Sequence, residues 1–146
     1  MSGGPASVME DLLHDLQKQI AGEVRFDDMT KVLYSTDASI YEIEPLGVVL
    51  PRTPEDAIAT VEICGRYGVP VLLRGGGTAL AGQAVGRAVH LDTSKYLNRL
   101  LEVNVEERWA RIQPGIVLDE LNAILRPHCL WFAPDVSPRT GPRWEA

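Results

Sequence analysis

The amino-acid sequence predicts an α+β domain, and three observations lead to that prediction. Two short apolar runs flank a helical segment in residues 47–73, two more runs in residues 100–112 are joined by a charged turn, and helical apolar patterns lie before and after them. The 146 residues suit one domain, which can bury roughly 68–70% of its unfolded surface. A composition of 45% hydrophobic and 23% charged residues is typical of a globular chain.

The first element is predicted to be an amphipathic helix that ends at Gly22, after a loose end formed by residues 1–7. Its apolar side chains recur at steps of three and four, which places them on one face. They are Val8, Leu12, Leu13, Leu16 and Ile20. Residues 25–46 contain polar and turn-forming residues throughout, and we expect them to be irregular.

A strand, a helix and a second strand are predicted next, and together they form a βαβ unit with parallel strands. The strands are residues 47–50 and 69–73. Thr53 is a suitable N-cap with Pro54 at the first helical position, and a glycine, either Gly65 or Gly68, is expected to end the helix. The predicted buried face of this helix comprises Ala57, Ile58, Val61 and Gly65.

The rest of the chain is predicted to hold a strand, a hairpin and a helix. Residues 88–91 form the strand, and residues 100–103 and 109–112 form the hairpin. The helix at residues 117–125, with Leu118, Leu121 and Leu125 on one side, ends before Pro127. An apolar run at residues 130–132 precedes a tail that is rich in proline.

Composition excludes several classes of protein. A formal net charge of -6 disfavours a nucleic-acid partner. No apolar run reaches the length of about 18 residues that a membrane span needs, and the first ten residues lack a secretory pattern, so we expect a cytoplasmic protein. Cys64 and Cys129 have no metal-ligand spacing, and both are interpreted as small buried hydrophobic residues.

The strongest functional candidate is the glycine-rich loop, residues 74–83, which directly follows the second strand of the βαβ unit. Three consecutive glycines at residues 75–77 remove the Cβ atoms that would block a close ligand, so successive amides can converge on an anion. Arg74 can add positive charge and Thr78 a hydroxyl donor. The alternative interpretation is a flexible surface loop without a ligand, because glycine marks turns more often than sites.

Two familiar phosphate motifs do not fit this loop. Gly77 and Gly82 have the spacing of a P-loop, but Gln83 stands where the phosphate-binding lysine is required, which argues against NTP hydrolysis. Gly75 and Gly77 begin a dinucleotide fingerprint, but Leu80 replaces its third glycine. A nicotinamide cofactor is therefore not expected.

Several groups of residues, in the same order along the chain, resemble the FAD-binding domain of the vanillyl-alcohol-oxidase-type flavoproteins, also called the PCMH-type fold. The nearest subgroup is the FAD-linked oxidases that act on 2-hydroxy acids, such as glycolate oxidase D-subunits and D-lactate dehydrogenases. The groups are residues 48–56, 74–83, 89–92, 98–103, 113–115 and 134–137.

The resemblance implies a PCMH-type domain that binds FAD. Some members attach the flavin through a histidine, and Thr78 occupies that place here, which implies non-covalent FAD. His14, His90 and His128 are interpreted as a helix-surface, a strand and a loop residue, and no catalytic residue is assigned. The implied cofactor-binding residues are Arg74, Gly75, Gly76, Gly77, Thr78, Ala79, Leu80, Gly82, Gln83, Pro134, Asp135 and Ser137.

After Ser137 the sequence departs from the family pattern, so we expect a truncated domain. The predicted organisation is a lead-in at residues 1–46, a partial FAD-binding domain at 47–137 and an unmatched tail at 138–146. The predicted function is FAD binding as the N-terminal fragment of an oxidoreductase that acts on a 2-hydroxy acid, with the missing C-terminal portion as a possible partner chain. The alternative is an inactive remnant or an interaction module without a substrate domain. Either way, we expect unpaired strand edges and exposed apolar residues.

Overall fold

The computed structural model describes residues 5–134, which form four helices, six strands and a short 3-10 turn. Asp135 and Ser137, together with the predicted tail at residues 138–146, lie outside the described residues. In chain order the elements are α1 (Pro5–Gln19), β1 (Glu23–Arg25), α2 (Asp28–Tyr34), β2 (Gly47–Leu50), α3 (Pro54–Arg66), β3 (Val71–Arg74), β4 (Val89–Asp92), β5 (Leu100–Asn104), β6 (Trp109–Ile112), α4 (Leu118–Leu125) and the 3-10 turn Arg126–His128.

The main sheet has four strands in the order β1-β2-β4-β3. β2 and β3 both run parallel to β4, which lies between them, and β1 pairs antiparallel with β2 at one edge. The predicted parallel βαβ unit is confirmed, with β4 inserted between its two strands. The carboxyl ends of β2, β3 and β4 therefore meet at one edge of the sheet.

The hydrophobic core lies between one face of this sheet and helices α1 and α3. The apolar stripe predicted for α1 is confirmed for Leu12 and Leu16, which are fully buried, and for Ile20, whereas Val8 is 37% exposed. The helix begins at Pro5, so the predicted loose end is wrong for residues 5–7. The buried cluster comprises Leu12, Leu16, Ile20, Val49, Ile63, Cys64, Val89 and Leu91.

Helix α3 has the predicted cap but a different buried face. Thr53 caps its N-terminus by accepting a hydrogen bond from the Asp56 amide at 3.3 Å. The predicted face is wrong, because Ile58 and Val61 are 59% and 53% exposed. The buried residues are Asp56, Thr60, Ile63 and Cys64.

The buried residues of α3 recur at the helical period, but the first two, Asp56 and Thr60, are polar. A search for apolar periodicity therefore does not detect this face. Burial of the Asp56 carboxylate is compensated by the amides of Ala21 and Arg52, each 2.9 Å from one of its oxygens. The α-helix ends at Arg66, and Gly68, with φ of +65°, supplies the left-handed conformation after it.

The expectation of an irregular segment at residues 25–46 is also wrong. β1 lies just before it, and α2 begins within it because Asp27 caps the helix through the Thr30 amide at 2.9 Å. An antiparallel bridge between Thr36 and Glu42 follows. Neither β1 nor α2 has an apolar run long enough to be recognised from sequence. Pairing with β2 stabilises β1, and the Asp27 cap stabilises α2.

The second half of the described chain confirms the hairpin and the last helix. β5 and β6 pair antiparallel, with an irregularity between Leu100 and Glu102. Leu121 and Leu125 of α4 are buried as predicted, whereas Trp131 and Phe132 follow in an exposed segment without strand structure. Within residues 5–134, none of the helices combines the length and the apolar character needed to cross a membrane.

A charged cluster joins β1 to the segment after β4. The Glu23 carboxylate accepts hydrogen bonds from Lys95, Tyr96 and Arg25. The bond from Lys95, followed by those from Tyr96 and Arg25, lowers the pKa of Glu23 from 4.5 to about 2. Since the folded state lowers this pKa, its contribution to stability is complete above pH 4.5 and is lost as the pH falls toward 2.

We therefore expect Glu23→Gln to lower the free energy of unfolding at pH 7 by about 1 kcal/mol and to weaken the acid dependence of stability. Urea denaturation at several pH values between neutral and acidic measures both effects. Glu44→Gln, at an exposed position, is the control and should leave the pH profile unchanged. A Glu23→Gln variant whose stability falls with acid as steeply as that of the parent protein contradicts this role.

Candidate functional site

The glycine-rich loop connects the neighbouring strands β3 and β4 at the carboxyl edge of the parallel strands. Arg74, the last residue of β3, is the register partner of Asp92, the last residue of β4. Ligands of parallel α/β sheets bind at this edge, so the loop occupies the position that the sequence predicted for it.

The backbone amides of this loop are free to bind a ligand. Within residues 5–134, none of the amides of residues 75–83 donates a hydrogen bond to a protein acceptor. Most of these residues are exposed, and the others are half-buried. Nine adjacent donors without partners form the kind of surface that binds an anion with several oxygen atoms, such as a diphosphate.

The glycines of the loop have different structural roles. Gly77 and Gly82 adopt φ values of +67° and +80°, which other residues avoid. A Cβ at Gly75 would meet open space, and one at Gly76 would meet only the Thr78 methyl group at 3.5 Å. A ligand therefore has free access to the backbone at Gly75 and Gly76, whereas Gly77 and Gly82 determine the shape of the loop.

The Arg74 side chain is engaged within the protein. Nη1 donates to the Ala84 carbonyl at 2.8 Å and to the Tyr34 carbonyl at 3.4 Å, and Nη2 donates to the Thr36 carbonyl at 2.8 Å. The guanidinium carbon also lies 5.1 Å from the centre of the Tyr34 ring. Arg74 supplies positive charge beneath the loop, but most of its guanidinium N–H groups already donate to backbone carbonyls.

A segment that sequence reasoning missed lies against the loop. The Ala38 amide donates to the Gly77 carbonyl at 3.1 Å, and the Ala84 amide donates to Asp37 Oδ2 at 3.2 Å. Asp37 Oδ1 accepts from the Ser39 amide at 2.9 Å. The Tyr41 ring packs on Gly82, where a Cβ would come within 2.6 Å of it.

Hydrogen bonds from Ser39 and from the Ala84 amide hold the pKa of the Asp37 carboxyl below its ordinary value, so it is ionised at neutral pH. The available sequence signal was the run Asp37-Ala38-Ser39, which is typical of an Asx-turn. That signal predicts a local turn, but it does not indicate that the turn contacts a loop almost 40 residues away.

A buried polar group supports the loop from below. The Tyr34 hydroxyl donates to the buried Asp92 carboxylate, and burial followed by this bond raises the pKa of Tyr34, so the phenol stays neutral. His90 is fully buried, with Nε2 3.0 Å from the Gly86 carbonyl, and burial lowers its pKa. His90 is a strand residue as predicted, and it lies outside the exposed surface of the loop.

The other predicted site residues are divided between two places. Thr78, Leu80 and Gln83 are exposed on the loop. Pro134 lies beside α4, in a shallow pocket that it lines with Asn122 and Phe132. The structure thus brings the loop residues together, and the pocket that Pro134 lines contains none of them.

A larger groove, with a volume of about 750 Å³, separates the β5–β6 hairpin from α4. Its lining is mainly apolar and includes Trp109, Leu121 and Trp131, and the Trp131 side chain is 64% exposed. Cys129, expected to be buried, is exposed on the groove because it follows the 3-10 turn with a φ of +55°. Exposed apolar side chains were expected, and Trp131 and Phe132 are among them.

Comparison with known proteins assigns the chain to a family. Residues 45–141 match the family described as the FAD binding domain. The chain is 40% identical over 119 residues to D-2-hydroxyglutarate dehydrogenase from Pseudomonas putida and 36% identical over 138 residues to the protein of the same name from Escherichia coli. It is 35% identical over 130 residues to the glycolate oxidase subunit GlcD of Escherichia coli.

These three matches cover 80%, 92% and 86% of the chain, but only 12%, 14% and 26% of the respective relatives. The chain therefore spans between an eighth and about a quarter of the length of the curated relatives that it matches.

Solved structures agree on the fold. The 4-ethylphenol oxidase from Gulosibacter chungangensis superposes with a TM-score of 0.75 at 24% identity, and p-cresol methylhydroxylase with a TM-score of 0.75 at 19% identity. The alignments cover 86% and 88% of this chain and 26% of each of those chains. The predicted PCMH-type fold is confirmed, and the chain belongs to the FAD-binding domain family.

Proposed function

We propose that the FAD diphosphate binds to the backbone amides of residues 75–83. The observation that carries the proposal is the row of amide donors, in mostly exposed residues, that have no acceptor within residues 5–134 at the carboxyl edge of β3. The proposed binding residues are the members of the loop, with Arg74 supplying charge from below and the Thr78 hydroxyl adding a donor. With Thr78 where an attaching histidine would stand, the proposed binding is non-covalent.

We further propose that the chain serves an oxidoreductase that acts on a 2-hydroxy acid. The relatives named for D-2-hydroxyglutarate and glycolate support this substrate class. The chemistry that a bound flavin supplies is acceptance of a hydride from the carbon that bears the hydroxyl group. The residues described here contribute binding and orientation of the cofactor, and the substrate-holding groups are assigned to the part of the relatives that this chain does not span.

Titration of the purified chain with FAD tests the cofactor site. We expect quenching of flavin fluorescence that saturates at one FAD per chain, with a yellow protein after gel filtration. Because binding stabilises only the folded state, the melting temperature should rise with FAD concentration. Acid precipitation should release all of the flavin into the supernatant, as non-covalent binding requires. A colourless protein whose melting temperature does not change with FAD concentration contradicts the proposed FAD site.

The apolar groove between the β5–β6 hairpin and α4 favours a second role, as a surface that receives the remaining portion of a flavin domain. In this role the chain would be an interaction module or an inactive remnant when it stands alone. A chain that binds no FAD but forms a stable complex with the C-terminal portion of a relative, separated by size-exclusion chromatography, supports this second role over the first.

A further inference from the structure

We propose that Arg74 and Asp37 are positioning residues that hold the glycine-rich loop in its anion-binding shape. The inference rests on the proposed FAD site and assigns a role in that site to residues 34–38, which precede the matched family region. We refer to Arg74, Asp37 and the backbone groups that they bond in residues 34–39 and 84 as the loop clamp.

The guanidinium of Arg74 connects three segments. One carbonyl belongs to Tyr34 at the end of α2, one to Thr36 in the segment after α2, and one to Ala84 at the far end of the loop. The fork bonds these carbonyls from two separate nitrogens in a fixed plane, whereas the three donors of a lysine ammonium radiate from one atom and cannot reproduce that spacing. Arg74 thus fixes the end of the loop relative to β3, the strand from which the loop begins.

Asp37 bonds the same residue at the end of the loop, through the Ala84 amide instead of its carbonyl. Its Oδ2 accepts from the Ala84 amide while its Oδ1 accepts from the Ser39 amide, so both oxygens are used. The neighbouring Ala38 amide donates to the Gly77 carbonyl at 3.1 Å. With its carbonyl held by Ala38, the peptide plane that follows Gly77 has a defined orientation, and the N–H of the same trans peptide points away from Ala38.

Two explanations of the effect of Asp37 on FAD binding, electrostatic repulsion and the loop clamp, predict opposite results when its charge is removed. An ionised carboxylate beside a site for a diphosphate repels the ligand, so a purely electrostatic view expects Asp37→Asn to strengthen FAD binding. The loop clamp predicts the opposite. Asparagine has a single acceptor oxygen, and when that oxygen bonds the Ser39 amide its NH2 group faces the Ala84 amide, so one bond is replaced by two opposed donors.

The base of the clamp is anchored in the sheet. The Tyr34 ring lies under the Arg74 guanidinium, and its hydroxyl donates to Asp92, which also accepts from the Ser94 amide at 2.8 Å and from the Ser94 hydroxyl at 2.7 Å. Arg74 and Asp92 are register partners in neighbouring strands. The contacts among Tyr34, Arg74 and Asp92 therefore connect β3 and β4 to the loop clamp and fix its orientation.

The test uses Arg74→Lys, which keeps the charge but loses the fork, and Asp37→Asn, which loses the charge. We expect each substitution to weaken FAD binding by about tenfold, the effect of one or two lost hydrogen bonds. Arg87→Lys and Asp11→Asn, at exposed positions, are the matched controls and should bind FAD like the parent protein.

Amide hydrogen exchange in the absence of FAD provides the second measurement. The Ala38 and Ala84 amides should be protected in the parent protein, and both variants should exchange them faster while the amides of α1 and α3 stay protected. Tighter FAD binding by Asp37→Asn, or unchanged binding by Arg74→Lys, overturns the loop clamp. If the parent protein binds no FAD, the proposed function fails, and the exchange of Ala38 and Ala84 alone still decides whether the clamp exists.

Discussion

We expect Gly76→Val to abolish FAD uptake while the protein keeps its fold. A Cβ at residue 76 meets only the Thr78 methyl group at 3.5 Å, and Gly76 is not one of the glycines with positive φ, so the backbone accepts the substitution. The branched side chain then occupies the open space through which a diphosphate must approach the amides. Binding should weaken by a factor of at least about 100, as loss of two or more charge-assisted hydrogen bonds implies.

Fluorescence titration with FAD measures this effect, and circular dichroism verifies that the fold is retained. Gly65→Val is the matched control because a Cβ at Gly65, on the exposed side of α3, also meets open space. It introduces the same side chain on α3, outside the loop, and should bind FAD normally. Equal FAD affinity in Gly76→Val and Gly65→Val would show that the glycine-rich loop is not the site.

The second large effect is expected in the core, where Leu16→Ala should lower the free energy of unfolding by about 2–5 kcal/mol. Leu16 is fully buried in the cluster that α1 and α3 form over the sheet, so truncation leaves a cavity among well-packed neighbours. For a chain of this size the melting temperature should drop by roughly 5–20 °C. Thermal unfolding followed by far-UV circular dichroism gives the value.

Leu33→Ala is the control for this substitution. Leu33 lies on α2 and is 66% exposed, so it loses little buried surface when truncated, and alanine is a better helix former than leucine. Its melting temperature should stay within about 2 °C of the parent value. A similar loss of stability in both variants would mean that α1 does not cover the sheet as the structure has it.

The fold was predictable from sequence where a single element carries its own signal. The α1 stripe, the Thr53 cap and the β5–β6 hairpin are local patterns, and all three are confirmed. The buried face of α3 was predicted wrongly because Asp56 and Thr60 take core positions that an apolar count assigns to solvent. Their burial depends on the backbone amides and carbonyls that they bond, which become visible only in three dimensions.

The candidate site, like the fold, was predicted only in part from the sequence. Three glycines after an apolar strand predicted a ligand loop at a sheet edge, and the amides of that loop have no acceptor in the described part of the chain, as such a role requires. The assignment of its residues to FAD stays a prediction, as does the assignment of Pro134, Asp135 and Ser137. What sequence reasoning missed is the contribution of residues 34–41, because the segment has no hydrophobic period and its Asx-turn signal predicts only a local turn.

By itself the sequence determined α1, α3, α4 and the strands from β2 to β6, but not β1 and α2, and it located a glycine-rich loop at the end of β3. Such properties depend on neighbours a few residues apart. Only the tertiary structure decided that β4 enters between β2 and β3, and that Arg74 bonds carbonyls some 40 residues away. Those arrangements arise from contacts between distant segments, whose strength depends on burial and on complementary donors and acceptors. No local period along the chain encodes that information.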